Sequence, residues 1–318
     1  MNEAFYKIKS IFFILILLFA CEENEDANDI NSDAVQIGLF NSVLSHDGLT
    51  RQFIVYVPTN YDSNLNYPLM INFHGFGGTA SDFVETADMR NLAESEGFII
   101  VYPQGTNLGG YPHWNSSAPS SDNKSSVDDF GFIEAMIENI SSTYSINENR
   151  VYAAGYSNGG FMSYYLACNS KKFAAIGSVA GTMIDDSYQN CNALVPTAMI
   201  NIHGTADSVV LYDGDSYGST AITDVVNWWK NFNSCFNVDI ITNQDESIEQ
   251  QIYYDDSGNP YVQHVKIYNG EHYWSDKLNF NGKNTSQLIW DFVSQFNLDG
   301  TLTVSYTHLR AHETVRNL

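Results

Sequence analysis

The chain has 318 residues, 44% of them hydrophobic, which suffices for one large core and excludes disorder over its whole length. Its formal net charge is −23, and its 14 lysines and arginines are scattered singly without a basic stripe, so no nucleic-acid partner is expected. No Cys/His cluster has metal-ligand spacing, and neither a G-x-x-x-x-G-K-[ST] loop nor a G-x-G-x-x-G fingerprint occurs, so neither metal nor nucleotide cofactor is expected.

Lys7 and Lys9 precede an apolar run from Ile11 to Ala20, which stops at Cys21 and is followed by Glu22-Glu23-Asn24-Glu25-Asp26. Residues 1–20 read as an export signal too short to span a bilayer. Leu18-Phe19-Ala20-Cys21 resembles the lipobox of bacterial lipoproteins, which would make Cys21 the lipidated first residue; ordinary secretion with cleavage near Ala20 is the alternative. The acidic stretch resembles the surface-export signals of some Gram-negative lipoproteins, which implies an outer-membrane or cell-surface location, or otherwise a periplasmic or secreted one. Residues 21–33 form a polar tether, so contact with a membrane is expected only through the lipid.

A folded domain is expected over residues 34–298. Gln52–Pro58, Tyr67–Phe73 and Gly97–Pro103 read as strands, with one helix over Ser81–Glu94 and another over Phe130–Tyr144. Arg150 to Ala154 is a further strand, followed by a helix in which Met162, Tyr165 and Leu166 recur at helical spacing. Strands at Phe173–Val179, Pro196–His203 and Val262–Tyr268 and helices at Thr220–Phe232 and Thr285–Phe296 complete the pattern. Strands alternating with helices predict an α/β fold, a mostly parallel sheet with helices on both faces. Residues 299–318 are read as a tail outside the fold: the stretch from Thr301 has no clear period, holds two of the five arginines, and resembles a translated sequencing-library adaptor.

Gly155-Tyr156-Ser157-Asn158-Gly159 joins the strand to the helix and reads as a nucleophile elbow, with glycines where a side chain would collide with the tight reversal. The turn would raise the serine hydroxyl above the sheet edge beside a helix N-terminus. A serine nucleophile needs a base, a group that orients the base, and donors for an oxyanion. His272, just past the strand ending at Tyr268, is placed as the base, and Asp207, after the strand ending at His203, as the orienting acid. Ser157, Asp207, His272 is the chain order of an α/β-hydrolase triad. His74 and His203 end strands and are expected to bond loop backbone; His46 and His264 are read as surface or strand residues. Asp213 and Asp215 are alternatives for the acid role but more simply cap a turn, and Asp128 and Asp129 would stabilise a helix N-terminus. The N–H of Asn158 and one from Phe76 or Gly77, in the loop His74-Gly75-Phe76-Gly77-Gly78, are the candidate oxyanion donors. Trp114 and Trp274 are candidates for aromatic walls of a substrate pocket, with core or loop anchoring as the alternative. Cys168 and Cys191 could form a disulfide from the elbow helix to the next loop in an oxidising compartment, leaving Cys235 over.

These blocks, with His113-Trp114-Asn115, Val127-Asp128-Asp129-Phe130-Gly131, Val179-Ala180-Gly181-Thr182, His203-Gly204-Thr205-Ala206-Asp207 and Gly270-Glu271-His272-Tyr273-Trp274, resemble the secreted polyhydroxybutyrate-depolymerase and feruloyl-esterase family of α/β-hydrolases over about residues 35–298. The resemblance implies carboxylic-ester hydrolysis through an acyl-enzyme on Ser157, with His272 as base and then acid. The chain departs from the family at Glu271, where glycine is usual, and lacks the usual proline around Trp274. The expected enzyme is a monomeric, cofactor-free feruloyl esterase acting on plant polysaccharide. A polyester depolymerase is the alternative within the same chemistry, and a non-catalytic glycan-binding surface lipoprotein the alternative outside it.

Overall fold

Runs of branched and aromatic residues, bounded by Gly, Pro and Asn, make the strands of one ten-stranded sheet. In chain order these are β1 (Gly38–His46), β2 (Leu49–Val57), β3 (Tyr67–Phe73), β4 (Ile99–Pro103), β5 (Ile146–Tyr156), β6 (Phe173–Val179), β7 (Ala198–Gly204), β8 (Asn237–Thr242), β9 (Ile248–Tyr254) and β10 (Val262–Ile267). Their order across the sheet is β1-β2-β4-β3-β5-β6-β7-β10-β9-β8. The block from β4 to β10 is parallel, while β1, β2, β9 and β8 pair antiparallel at the two flanks. The computed structural model describes residues 35–118, 125–216, 218–274 and 278–302. The export signal, Cys21, the tether and residues 303–318 of the tail lie outside the described residues.

Seven helices stand among the described residues: α1 (Ala80–Thr86), α2 (Arg90–Glu96), α3 (Asp129–Thr143), α4 (Asn158–Asn169), α5 (Asp185–Asn190), α6 (Ile222–Phe232) and α7 (Thr285–Val293). Alternation along the buried strands splits the core into two layers. Leu69, Ile71 and Phe73 of β3 face Phe132, Met136, Met162 and Trp229 of α3, α4 and α6. Met70, between them, faces the other layer with Phe83, Ala93, Ile289 and Phe292 of α1, α2 and α7. The expected helices on both faces of a mostly parallel sheet are therefore present.

The helix expected over Ser81–Glu94 is two helices. The Ala87 N–H closes α1 on the Phe83 carbonyl, and the Asp88 carboxylate then accepts the Arg90 N–H at 2.9 Å while gripping its guanidinium at 2.8 Å. A short acidic side chain that bonds nearby backbone competes with the helical ladder and breaks it here. The boundary at 298 also moves. Gly300–Thr301 pairs with Phe296–Asn297, and the Leu302 N–H donates to the Gln295 carbonyl at 2.7 Å, so the fold reaches Leu302. Cys168 and Cys191 are joined by a disulfide that ties the end of α4 to the residue after α5. Cys235 is buried and free, and burial pushes its thiol up to about 11.

Asp128 and Asp129 were expected to act alike at the start of α3, and they do not. Asp128 caps the helix, accepting the Gly131 N–H at 2.8 Å. Asp129 is buried: one oxygen takes the Arg51 guanidinium of β2 at 2.6 Å and the other the Asn115 N–H at 2.9 Å. Burial already pushes the Asp129 carboxyl up against the pull of Arg51. Arg51→Met is therefore expected to cost about 3–5 kcal/mol in denaturant unfolding, because it strands a buried carboxylate. The double variant Arg51→Met with Asp129→Leu should regain most of that loss, since it buries no charge.

Candidate active site

The elbow forms because three backbones meet where no side chain fits. A Cβ on Gly155 would stand 2.2 Å from the Gly159 carbonyl, and one on Gly159 would stand 2.2 Å from the Phe73 carbonyl oxygen. The start of α4 thus lies directly on the ends of β5 and β3. Ser157, the pivot, has φ 52° and ψ −121°, a left-handed conformation that costs a non-glycine residue about 1–3 kcal/mol. It is held by its own N–H on the Val179 carbonyl at 2.8 Å and by the Gly160 and Phe161 N–H groups on its carbonyl.

Two loops bring partners to it. Gly204 and Gly270 stack backbone on backbone: a Cβ on Gly204 would come within 2.2 Å of the Gly270 carbonyl oxygen. Around that contact the Thr205 and Ala206 N–H groups donate to the Ile267 and Gly270 carbonyls, each at 2.9 Å, so the loops after β7 and β10 are fastened together. They place His272 Nδ1 2.8 Å from Asp207 Oδ2 and His272 Nε2 3.0 Å from Ser157 Oγ. Tyr156 fixes the imidazole from below, its hydroxyl donating to the His272 carbonyl at 3.0 Å and its ring 5.1 Å from the imidazole. Burial holds that phenol up at about 12, so it stays a donor.

Asp207 is buried, and burial alone would raise its pKa. Hydrogen bonds from His203 and His272 and from the Val210 and Val209 N–H groups outweigh burial and hold the carboxyl well below the usual carboxylate range. Asp215 instead accepts the Ser219 N–H at 3.2 Å as a turn cap, and Asp213 is exposed. His74 accepts the Gly105 N–H at 3.0 Å and donates from Nδ1 to the Gly75 carbonyl at 2.8 Å; burial pushes it down to about 4, which keeps it neutral. His46 pairs with Asp128, and His264 is a buried strand residue on β10.

The glycine-rich loop after β3 lies against the serine: a methyl on Gly75 would be 3.3 Å from Ser157 Cβ. Gly77 spends its N–H on the Pro112 carbonyl at 2.7 Å, which removes it as an oxyanion donor. The Asn158 N–H belongs to the first turn of α4, where helical partners are missing. The Asn158 side chain clasps Trp114, accepting its N–H at 2.7 Å and donating to its carbonyl at 3.0 Å.

Neither tryptophan lines an open pocket. Trp114 is 2% exposed, packs edge-on against Phe73 at 5.3 Å and donates its indole N–H to the His74 carbonyl at 3.0 Å. Trp274 is 6% exposed and packs edge-on against Phe83 at 5.3 Å. Both anchor loops in the core, because the large apolar surface of an indole gains more from burial than from exposure. The exposed rings beside the site are others: Phe76 (45%) and Tyr111 (59%), stacked at 5.7 Å and 19°, and Tyr273 (43%) next to His272. Tyr111 belongs to a two-stranded hairpin, Thr106–Leu108 with Tyr111–His113, whose Gly109-Gly110 turn is its one local signal in the sequence.

A parallel sheet in this order, an elbow serine between β5 and α4, and an aspartate and a histidine delivered after β7 and β10 define an α/β-hydrolase. The chain belongs to the esterase family, whose model, described as “Putative esterase”, matches residues 48–283. Among curated relatives, it is 27% identical over 280 residues to a bifunctional acetylxylan esterase/xylanase of Neocallimastix patriciarum, covering 83% of this chain and 36% of that protein. It is 30% identical over 169 residues to feruloyl esterase B of Piromyces equi, covering 52% of this chain and 30% of that one. It is 31% identical over 183 residues to a probable feruloyl esterase C of Aspergillus terreus, covering 55% and 61% respectively. The chain thus spans about a third of the length of the first two. A solved acetyl xylan esterase from Aspergillus awamori shares the fold with a TM-score of 0.56 at 15% identity, over 74% of this chain and 94% of that one. Among the described residues no cluster of His, Cys, Asp and Glu could hold a metal ion, and no helix is long and apolar enough to cross a membrane.

Proposed function

We propose that the chain is an exported serine carboxylesterase that cleaves hydroxycinnamoyl esters of plant polysaccharide through an acyl-enzyme. The observation that carries this reading is the single imidazole bridging Ser157 and Asp207. His272 Nε2 takes the hydroxyl proton as Ser157 Oγ attacks the ester carbonyl, and the imidazolium then gives that proton to the leaving alkoxide. Water attacks the acyl-enzyme with the same imidazole as base, releasing the acid and restoring the serine. Asp207 keeps the Nδ1–H tautomer, so that Nε2 is the free acceptor. The N–H groups of Asn158 and Phe76 hold the oxyanion, each donor being worth about 2.7–4 kcal/mol in the transition state.

The Phe76–Tyr111 stack takes the place given to the tryptophans as the surface for an aromatic acyl group. It stands on the loop after β3 and on the hairpin that leads into Trp114, the residue clasped by Asn158, whereas the base arrives from β10, on the far side of β5. An ester whose leaving oxygen faces His272 directs its acyl chain away from the base, towards that stack. The disulfide supports export to an oxidising compartment, and lipidation at Cys21 would tether the enzyme at a cell surface. The acetylxylan esterase relative, matched over 83% of this chain, favours acetyl esters as the second reading.

Rates on methyl ferulate, p-nitrophenyl acetate and a hydroxybutyrate oligomer separate these readings. Methyl ferulate is expected to be turned over best; acetate alone would select the second reading, and oligomer alone a polyester depolymerase. In Tyr111→Ala the ratio of kcat/KM for ferulate over acetate should fall by up to about ten-fold, the worth of one aromatic pair. Tyr111→Phe, which keeps the ring, should restore the ratio.

A further inference from the structure

His203, the residue before the last of β7, is buried behind the acid and takes no direct part in the chemistry proposed above. Its Nε2 lies 2.9 Å from the Val210 carbonyl and 3.3 Å from Asp207 Oδ2. Its Nδ1 is buried and meets no partner among the described residues. A proton on Nδ1 would bury a donor without an acceptor, so the partners assign the proton to Nε2, shared unequally between the carbonyl and the carboxylate. Groups of the neighbouring strand and of the loop after the acid stand around His203. His264 of β10 is driven down to about 3 by burial and bonded to the Tyr212 hydroxyl at 2.8 Å, and the Lys266 ammonium stands 5.4 Å from the Tyr212 ring.

Four donors stand against Asp207, two at each carboxylate oxygen. Oδ1 accepts the Val209 and Val210 N–H groups, each at 2.9 Å, and these come from the acid's own loop. Oδ2 accepts His272 at 2.8 Å and faces His203 Nε2 at 3.3 Å. Without His203, the one partner left to Oδ2 among the described residues would be the base that Oδ2 itself has to orient. We infer that His203 is a positioning residue: rooted in the sheet, it sets the Asp207 carboxylate in the plane from which Oδ2 holds His272 Nδ1–H towards Ser157. This rests on the esterase reading.

The test compares the full chain with His203→Phe, which removes the donor, and His203→Gln, whose amide can return an N–H to the place of Nε2. Rates on p-nitrophenyl acetate are taken per serine titrated with a fluorophosphonate. In His203→Phe, kcat per titrated serine should fall about ten-fold, in line with a hydrogen bond to a charged group, with KM within about two-fold. The acid limb of kcat/KM should move to higher pH, because a carboxylate with one donor fewer pairs more strongly with the imidazolium. His203→Gln should restore both. His203→Asn, too short to reach Oδ2, should match His203→Phe and serves in its place if that variant does not fold. A donor-lacking variant with wild-type kcat per titrated serine and an unmoved acid limb, whatever its melting temperature, would overturn the proposal. If the wild type neither labels nor turns over, the esterase reading falls, and the His272 Nδ1–H proton resonance still decides. It should shift in the donor-lacking variants and return in His203→Gln; an unshifted resonance overturns the inference on its own.

Discussion

Ser157→Ala is expected to lower kcat for ester hydrolysis by about 10⁶-fold, as loss of the nucleophile does where serine, histidine and acid act as one unit. The backbone at this position is set by the glycine contacts beneath it, not by the hydroxyl. Alanine bears the same strain at φ 52°, so the variant should melt with the wild type. On the proposed function it should also keep its affinity for a ferulate ester, because the groups proposed to bind that ester, the oxyanion donors and the Phe76–Tyr111 stack, remain. Labelling by a fluorophosphonate, binding of methyl ferulate and residual turnover are the measurements. A variant that still turns over at even one-hundredth of the wild-type rate would remove Ser157 from the chemistry.

Asp207→Asn should cost about 10⁴-fold in kcat with little change in the fold. The structure dictates how the amide must sit. Oδ1 receives two backbone N–H groups, so the amide oxygen takes that end and the NH₂ faces His272, which leaves the His203 N–H to the Val210 carbonyl. His272 Nδ1 must then accept, its proton moves to Nε2, and Nε2 can no longer take the serine proton. The pH dependence follows from the depressed carboxyl. The stability that Asp207 contributes is fully present above its unfolded value of about 3.9 and is lost only as pH falls through the lower folded value. Asp207 therefore stays ionised across mild acid, and the acid limb of kcat/KM should fall with unit slope, with no second proton taken up by the carboxyl. A slope of two would mean that the carboxyl titrates in the same range.

The parts of the molecule legible in the sequence are those where chemistry or burial leaves little choice. The elbow glycines, the order Ser157, Asp207, His272 and the continuous apolar strands β3, β6 and β7 declare themselves because both faces of those strands are covered. The strands β8 and β9 leave no such trace: β8 is exposed along its whole length and β9 is mostly half-buried, so neither shows a period of two. β1 does alternate, but between exposed and half-buried positions, which weakens the contrast. The tryptophans were ambiguous for a different reason. An indole is equally at home under a loop or in a cleft, and only the tertiary contacts of Trp114 with His74 and Trp274 with Phe83 decide between them. Asp129 looked like a second helix-start acid because its partner Arg51 is 78 residues away in the chain.

The sheet ends at β1 and β8, and among the described residues each is paired along one side only. Val238, Ile240 and Ile241 stand exposed on β8, and Leu39 and Val43 on β1, so each flank offers an open ladder of backbone groups dressed with apolar side chains. Against two copies joining their sheets end to end stands the formal charge of −23 that each carries, which acts at a distance that the edges do not. That guard reaches about 30 Å at 0.01 M salt and about 8 Å at physiological ionic strength. Colloidal behaviour therefore depends on the buffer more than on the fold: dilute salt keeps the molecules apart, and concentrated salt leaves their flanks free to meet.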